Sequence, residues 1–103
     1  MYIVIFITTA NKKESENIAK ALLDAKLVAC VNISEKVHSM FWWQGKIDSG
    51  EENLLIAKTA RSKLSKVVKT VRSLHSYTVP EIIALPIIGG NQDYLRWIDE
   101  SVR

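Results

Sequence analysis

The run Tyr2-Ile3-Val4-Ile5-Phe6-Ile7 has no polar residue at every second position, where a half-solvated strand would place one. A similar run, Ile82-Ile83-Ala84-Leu85-Pro86-Ile87-Ile88, lies near the other end of the chain. Both runs require burial on two faces. If helices cover one face of the sheet that holds them, something else must cover the second. At this chain length the expected cover is another copy, so the sequence reads as an obligate oligomer.

Outward from the first run, β-structure over residues 2–8 ends at Thr8-Thr9. Asn11 then stands three residues before Glu14, the spacing of a capping box at a helix start. Ile18, Leu22 and the alanines Ala19, Ala21 and Ala25 form the inward face of that helix. A second strand runs from Leu27 to Ile33, is interrupted by Ser34-Glu35-Lys36, and resumes from Val37 to Trp43 as one bent or bulged strand. Asp48-Ser49-Gly50 supplies turn chemistry, so the hairpin is expected there, with Leu54-Leu55-Ile56-Ala57 as the third strand. A second helix from Arg61 to Leu74 carries Leu64, Val67, Val68, Val71 and Leu74 as a stripe of period 3.6. After a loop, Pro80 forces Val79 out of helical geometry, and the fourth strand covers Glu81 to Ile88. Pro86 cannot donate a ladder hydrogen bond, so this strand is expected at an edge or with a bulge. Gly89-Gly90 breaks the chain before a last helix, which starts near Asn91 and presents Tyr94, Leu95, Ile98 and Val102 on one side.

The order β-α-β-β-α-β-α is the ferredoxin-like plan with an added C-terminal helix. The class is α+β, and right-handed crossovers put both main helices on one face of a four-stranded antiparallel sheet. Residues 1–103 read as a single domain of common size, long enough to build a core with no metal required for folding. Cys30 is the only cysteine, which excludes an internal disulfide and fits a reducing compartment. No segment has the roughly 18 apolar residues of a membrane span, and the apolar start lacks the flanks of a signal peptide. A cytoplasmic location with no membrane partner is expected. The net charge of +3 is modest. The densest basic group, Arg61, Lys63, Lys66, Lys69 and Arg72, reads as a solvated helix face, and nucleic acid is not an expected partner.

Ligand-capable side chains are few. There is no C-x-x-C, no H-x-x-x-H and no clustered carboxylates, so a strong metal site needs ligands from more than one chain. Cys30 lies in an apolar strand and reads as a small buried hydrophobe. His38 and Met40 share one side of a strand, but two ligands do not close a copper site. His75, Tyr77 and Glu81 fall within seven residues, either as a helix cap and strand end or as a titratable pocket with His75 and Glu81 as an acid–base pair. Phe41-Trp42-Trp43 is bulky on both faces and Trp97 adds an indole on the last helix, a pattern that fits packing between subunits. Lys58 interrupts the third strand, as an anion contact or as an ion partner for Glu81. Phosphate-cradling glycine loops of the usual form are absent, as are the third-strand aromatics that RNA-recognition modules use for stacking.

Several pieces together resemble the CutA family of divalent-cation tolerance proteins. They are Ile7-Thr8-Thr9, Leu27-Val28-Ala29-Cys30-Val31-Asn32-Ile33, Trp42-Trp43-Gln44-Gly45-Lys46-Ile47, Glu51-Glu52, Ala57-Lys58-Thr59, His75 through Ile83, and Tyr94-Leu95-Arg96-Trp97. Ser76 stands where the family usually has proline, so that loop is expected to be less rigid. The resemblance implies a homotrimer like that of the PII signalling proteins, associated with tolerance to copper and other divalent cations and without established catalysis. It also implies a cleft between subunits lined by Trp43, Lys58, His75, Tyr77, Glu81 and Trp97. Cys30 is then the candidate thiol ligand for copper, with His75 as a second candidate. Two alternatives remain beside it. One is a PII-like sensor or scaffold taking a small anionic ligand in the cleft, and the other is an enzyme using His75 and Glu81.

Overall fold

A computed structural model describes all residues, 1–103. β1 (Tyr2–Thr9), α1 (Lys12–Asp24), β2 (Cys30–Trp43), β3 (Lys46–Ala60), α2 (Leu64–Leu74, after a 3₁₀ turn at Arg61–Lys63), β4 (Ile82–Ile87) and α3 (Gln92–Val102) follow in that order. The sheet is antiparallel in the order β2-β3-β1-β4, the ferredoxin-like arrangement, with β2 and the proline-bearing β4 at the edges.

β1 alternates strictly. Ile3, Ile5 and Ile7 are buried against Ile18 and Leu22 of α1, Val67 and Val71 of α2, and Leu55 and Ala57 of β3. The intervening Tyr2, Val4, Phe6 and Thr8 point to the opposite, open face and are only half-buried. Ala25 and Leu74, which the helical stripes place inward, are exposed because each ends its helix. Asn11 and Glu14 cap the helix as the spacing predicts, with the return bond one residue further back: Asn11 Oδ1 accepts the Glu14 N–H, and Glu14 Oε1 accepts the N–H of Ala10, the residue before the cap, at 3.0 Å. α1 stops in a Schellman motif, with Lys26 at a φ of 55°, Lys26 N bonded to Leu23 O and Leu27 N to Leu22 O. Leu27 and Val28 are therefore buried in a connection, and β2 begins at Cys30 rather than at Leu27.

The interruption at Ser34-Glu35-Lys36 is a β-bulge, with the register shifting between Ser34 and Val37 and Lys36 at a φ of 59°. The hairpin turn differs from expectation. It lies at Gln44-Gly45, between paired Trp43 and Lys46, and both turn residues have positive φ (50° and 79°). This primed two-residue geometry matches the twist of the strands it joins, and Gly45 takes its conformation without a Cβ penalty. Asp48-Ser49-Gly50 runs inside β3, and the third strand covers Lys46–Ala60 instead of four residues. Its turn propensity loses because pairing with Met40, Phe41 and Ser39 satisfies the backbone there. β2 and β3 consequently extend beyond the sheet as an arm, and the molecule measures 44 × 25 × 22 Å.

α3 packs on the open face, not with α1 and α2. Its buried Ile98 and Val102 lie outside the main core cluster, and the Tyr94 hydroxyl stands 4.0 Å from Cys30 Sγ. Cys30 pairs with Lys58 and Lys58 with Val4, so all three belong to the open face. The cover is partial. Ile83 and Leu85 remain 51% and 44% exposed, and on the arm Trp42 is 72% exposed.

Candidate functional site

The open face and the inner face of the arm meet in a groove of about 720 Å³, lined by Phe41, Trp43, Glu52, Tyr77 and Glu81 among others. The groove contains three carboxylates, those of Asp48, Glu52 and Glu81, and no lysine or arginine lines it. Tyr77 Oη donates to Glu52 Oε2 at 2.8 Å. Burial, then the hydrogen bond to Glu52 and the charge behind it, push the Tyr77 phenol up to about 12, so it remains a donor. Burial, then the charge of Glu52, raise Glu81 above the usual carboxylate range.

His75 forms the wall behind Tyr77, with ring centroids 4.6 Å apart, and its side chain is fully buried. Nε2 meets the Thr8 carbonyl at 2.7 Å, and Nδ1 accepts the Tyr77 N–H at 3.1 Å. A carbonyl only accepts, so the proton is on Nε2 and the ring is the neutral tautomer. Glu14 Oε1 lies 3.6 Å from Nδ1, while Glu14 Oε2 accepts the Ser76 N–H at 2.9 Å. Burial alone would raise Glu14, but hydrogen bonds from Ala10 and Ser76 outweigh it and hold the carboxyl below its ordinary value. Glu14, not Glu81, is therefore the carboxylate beside His75, and both ring nitrogens are committed to the backbone. The His75–Glu81 acid–base pair that the sequence left as an alternative is not assembled in this chain.

Lys58 and Trp97 lie elsewhere. Lys58 Nζ hydrogen-bonds Asn32 Oδ1 and stands 3.6 Å from Cys30 Sγ, and no salt bridge joins it to Glu81. The Trp97 ring packs on Tyr94 at 5.4 Å. Lys58 is six residues along β3 from Glu52, about 20 Å at strand rise. Of the six cleft candidates, one chain thus unites Trp43, Tyr77 and Glu81, with His75 behind them, and holds Lys58 and Trp97 apart beside Cys30. Cys30 is half-buried among polar neighbours, not a hydrophobe in an apolar strand, because its register opposite Lys58 in the β2 alternation turns it to the open face. No group of three or more His, Cys, Asp or Glu side chains converges within the chain closely enough to hold a metal ion.

Sequence reasoning missed Glu52 as the partner of Tyr77 and Glu14 as the carboxylate beside His75. Glu14 was legible only as a helix cap, and the separation of 25 positions between Glu52 and Tyr77 is closed by the sheet alone. It also missed a buried network. Thr9 Oγ1 meets Ser15 Oγ at 2.5 Å, Ser15 Oγ donates to Asn11 O, and Asn53 Nδ2 donates to Ser15 Oγ at 3.1 Å. These bonds pin β3 to the start of α1 beneath the groove.

The raised Glu81 pKa has a signed consequence. A carboxyl whose folded pKa lies above its unfolded value contributes stability below the unfolded pKa and loses it as pH rises through the folded one. Glu81→Gln is therefore expected to raise the melting temperature at pH 7, with the gain vanishing below about pH 4. Thermal melts of both proteins across pH check this, and a constant difference would remove the Glu52–Glu81 repulsion from the account.

The family profile described as CutA1 divalent ion tolerance protein matches residues 3–101. The divalent-cation tolerance protein CutA of Archaeoglobus fulgidus is 47% identical over 102 residues, which span 99% of both chains. A solved structure of the periplasmic divalent cation tolerance protein CutA from that organism covers 100% of each chain with a TM-score of 0.97. The Thermus thermophilus protein, 44% identical, covers 98% of each chain with a TM-score of 0.96. Protein CutA 1, chloroplastic, of Oryza sativa subsp. japonica is 45% identical over 98% of this chain but 57% of that protein, and the Arabidopsis thaliana relative is covered to 56%. The chain spans somewhat more than half the length of these plant relatives. No helix is long and apolar enough to cross a membrane. With sequence and architecture agreeing over nearly its full length, this chain belongs to the CutA1 divalent ion tolerance family.

Proposed function

We propose that the chain acts as a cytoplasmic, single-domain homotrimer that binds divalent cations, copper foremost, without catalysing a reaction. The observation that supports this most is the division of the cleft residues. Trp43, Tyr77 and Glu81 stand at one end of an open apolar face, Lys58 and Trp97 at the other. A second copy laid against that face brings the two ends of different chains into one inter-subunit cleft. It also covers Ile83, Leu85 and the arm aromatics, which one chain leaves exposed. Cys30 is the soft donor accessible to copper. One chain gathers no group of three or more His, Cys, Asp or Glu side chains around it, so a complete site draws on neighbouring copies.

Calorimetric titration of copper into metal-free protein tests the reading. Micromolar or tighter binding is expected, with a whole number of ions per trimer, abolished in Cys30→Ala and retained in His75→Ala because both His75 ring nitrogens are already bonded. Binding unchanged by Cys30→Ala would remove the thiol from the site, and no binding at all would make the metal association indirect.

Lys58 favours a second reading, the PII-like sensor. Its ammonium is half-buried on the open face with no carboxylate partner, as a receptor for a small anion requires. Stabilisation by an anion but not by copper in a thermal screen, lost in Lys58→Gln, would select it.

A further inference from the structure

α2 breaks the electrostatic rules that the other two helices obey. α1 is capped by Asn11 and carries Glu14 in its first turn, and α3 is capped by Asn91 with Asp93 in its first turn. Both pair charges along their exposed sides: Lys12 with Glu16, Lys20 with Asp24, Arg96 with Asp93 and Arg103 with Asp99. The 3₁₀ turn and α2 have no side-chain cap, no acid in the first turn, and Arg61 and Lys63 at the end where the helix dipole disfavours cations. Lys63–Lys66, Lys66–Lys69 and Lys69–Arg72 are like-charge neighbours at i, i+3, which destabilise a helix. None of these five cations forms a salt bridge. Five of the chain's 14 lysines and arginines lie in this segment with no acid, leaving 9 against 11 acids elsewhere, a net −2. The basic character of the molecule is a property of one helix.

From sequence alone such a run reads as a solvated face. A solvated face has no need to forgo caps and pairing, and uncompensated breaches of local rules concentrate at functional surfaces. We propose that the outer side of α2 docks the phosphate backbone of duplex nucleic acid without reading its sequence. Its outward groups are cations interleaved with hydroxyls, the side chains that contact phosphates. Lys69 and Arg72 border a shallow depression with Ser65 and Ser73, and Lys66 to Arg72 extends over about 9 Å of helix axis. A bilayer is a poorer fit, because Val67 and Val71 of the apolar stripe are fully buried in the core and Leu64 packs against it, which leaves only Leu74 at the helix end exposed for insertion. A single strand is also a poorer fit, since no aromatic side chain stands among these residues for base stacking. α2 lies on the face opposite the open one, so this proposal is independent of the trimer and of copper.

Fluorescence anisotropy with labelled DNA duplexes of about 20 base pairs and two unrelated sequences tests it. Micromolar binding is expected at about 50 mM salt, equal for both sequences, with log K falling against log salt at a slope of about −4. Lys66→Gln/Lys69→Gln/Arg72→Gln is expected to weaken binding at least about tenfold and to flatten the slope by about 3, and Lys69→Gln alone by about 1. Lys12→Gln/Lys20→Gln should leave both quantities unchanged. The triple variant should melt no lower than wild type, since it relieves repulsion, which separates lost binding from lost folding. The proposal is overturned by no binding at low salt, by equal losses in the α2 and α1 variants, or by tighter binding to phosphatidylserine vesicles, inorganic polyphosphate or polyglutamate than to the duplex.

Discussion

His75→Ala is expected to lower unfolding stability by about 3–4 kcal/mol while leaving copper affinity unchanged. The ring is fully buried, so its removal leaves a cavity that the sheet and α1 cannot collapse to fill. It also strands two groups that now have partners: the Thr8 carbonyl and the Tyr77 N–H. Urea denaturation at fixed protein concentration reads the loss. His75→Gln, which keeps a donor near Thr8, should recover part of it. A near-neutral effect on stability combined with loss of copper binding would make His75 a ligand and not the wall of the groove.

The second large effect is on assembly. Wild-type protein is expected to sediment as a trimer at micromolar concentration, and Leu85→Asp as a monomer. Within one chain Leu85 is 44% exposed on the open face, so a carboxylate there remains hydrated and costs the isolated fold little. In a trimer it would be desolvated without a partner, at several kcal/mol per copy across three interfaces. Far-ultraviolet circular dichroism should confirm that the monomer keeps its sheet. A monomeric wild type would remove the trimer from the proposal, and a trimeric Leu85→Asp would move the interface away from β4.

The order of elements and the edge position of β4 were legible in the sequence, because period-two and period-3.6 patterns and a proline inside a strand are local signals of backbone geometry. The capping box at Asn11 and Glu14 and the bulge at Ser34 to Lys36 were legible for the same reason. The hairpin turn was not. Asp48-Ser49-Gly50 has the stronger turn composition, yet Gln44-Gly45 takes the turn because only there do the strands keep their register and twist. That register lengthens the arm and aims Phe41 and Trp43 into the groove.

The candidate site divides along the same line. By itself the sequence determined which chemical groups exist and that one sheet face carries more apolar surface than one chain can bury. Only the tertiary structure decided their pairings: Tyr77 with Glu52, His75 with the backbone of Thr8 and Tyr77, and Lys58 with Asn32 beside Cys30. The physical reason is range. Periodicity reports the face on which a residue stands, whereas a hydrogen bond between residues 25 or 67 positions apart depends on strand register and loop closure, which no local pattern encodes.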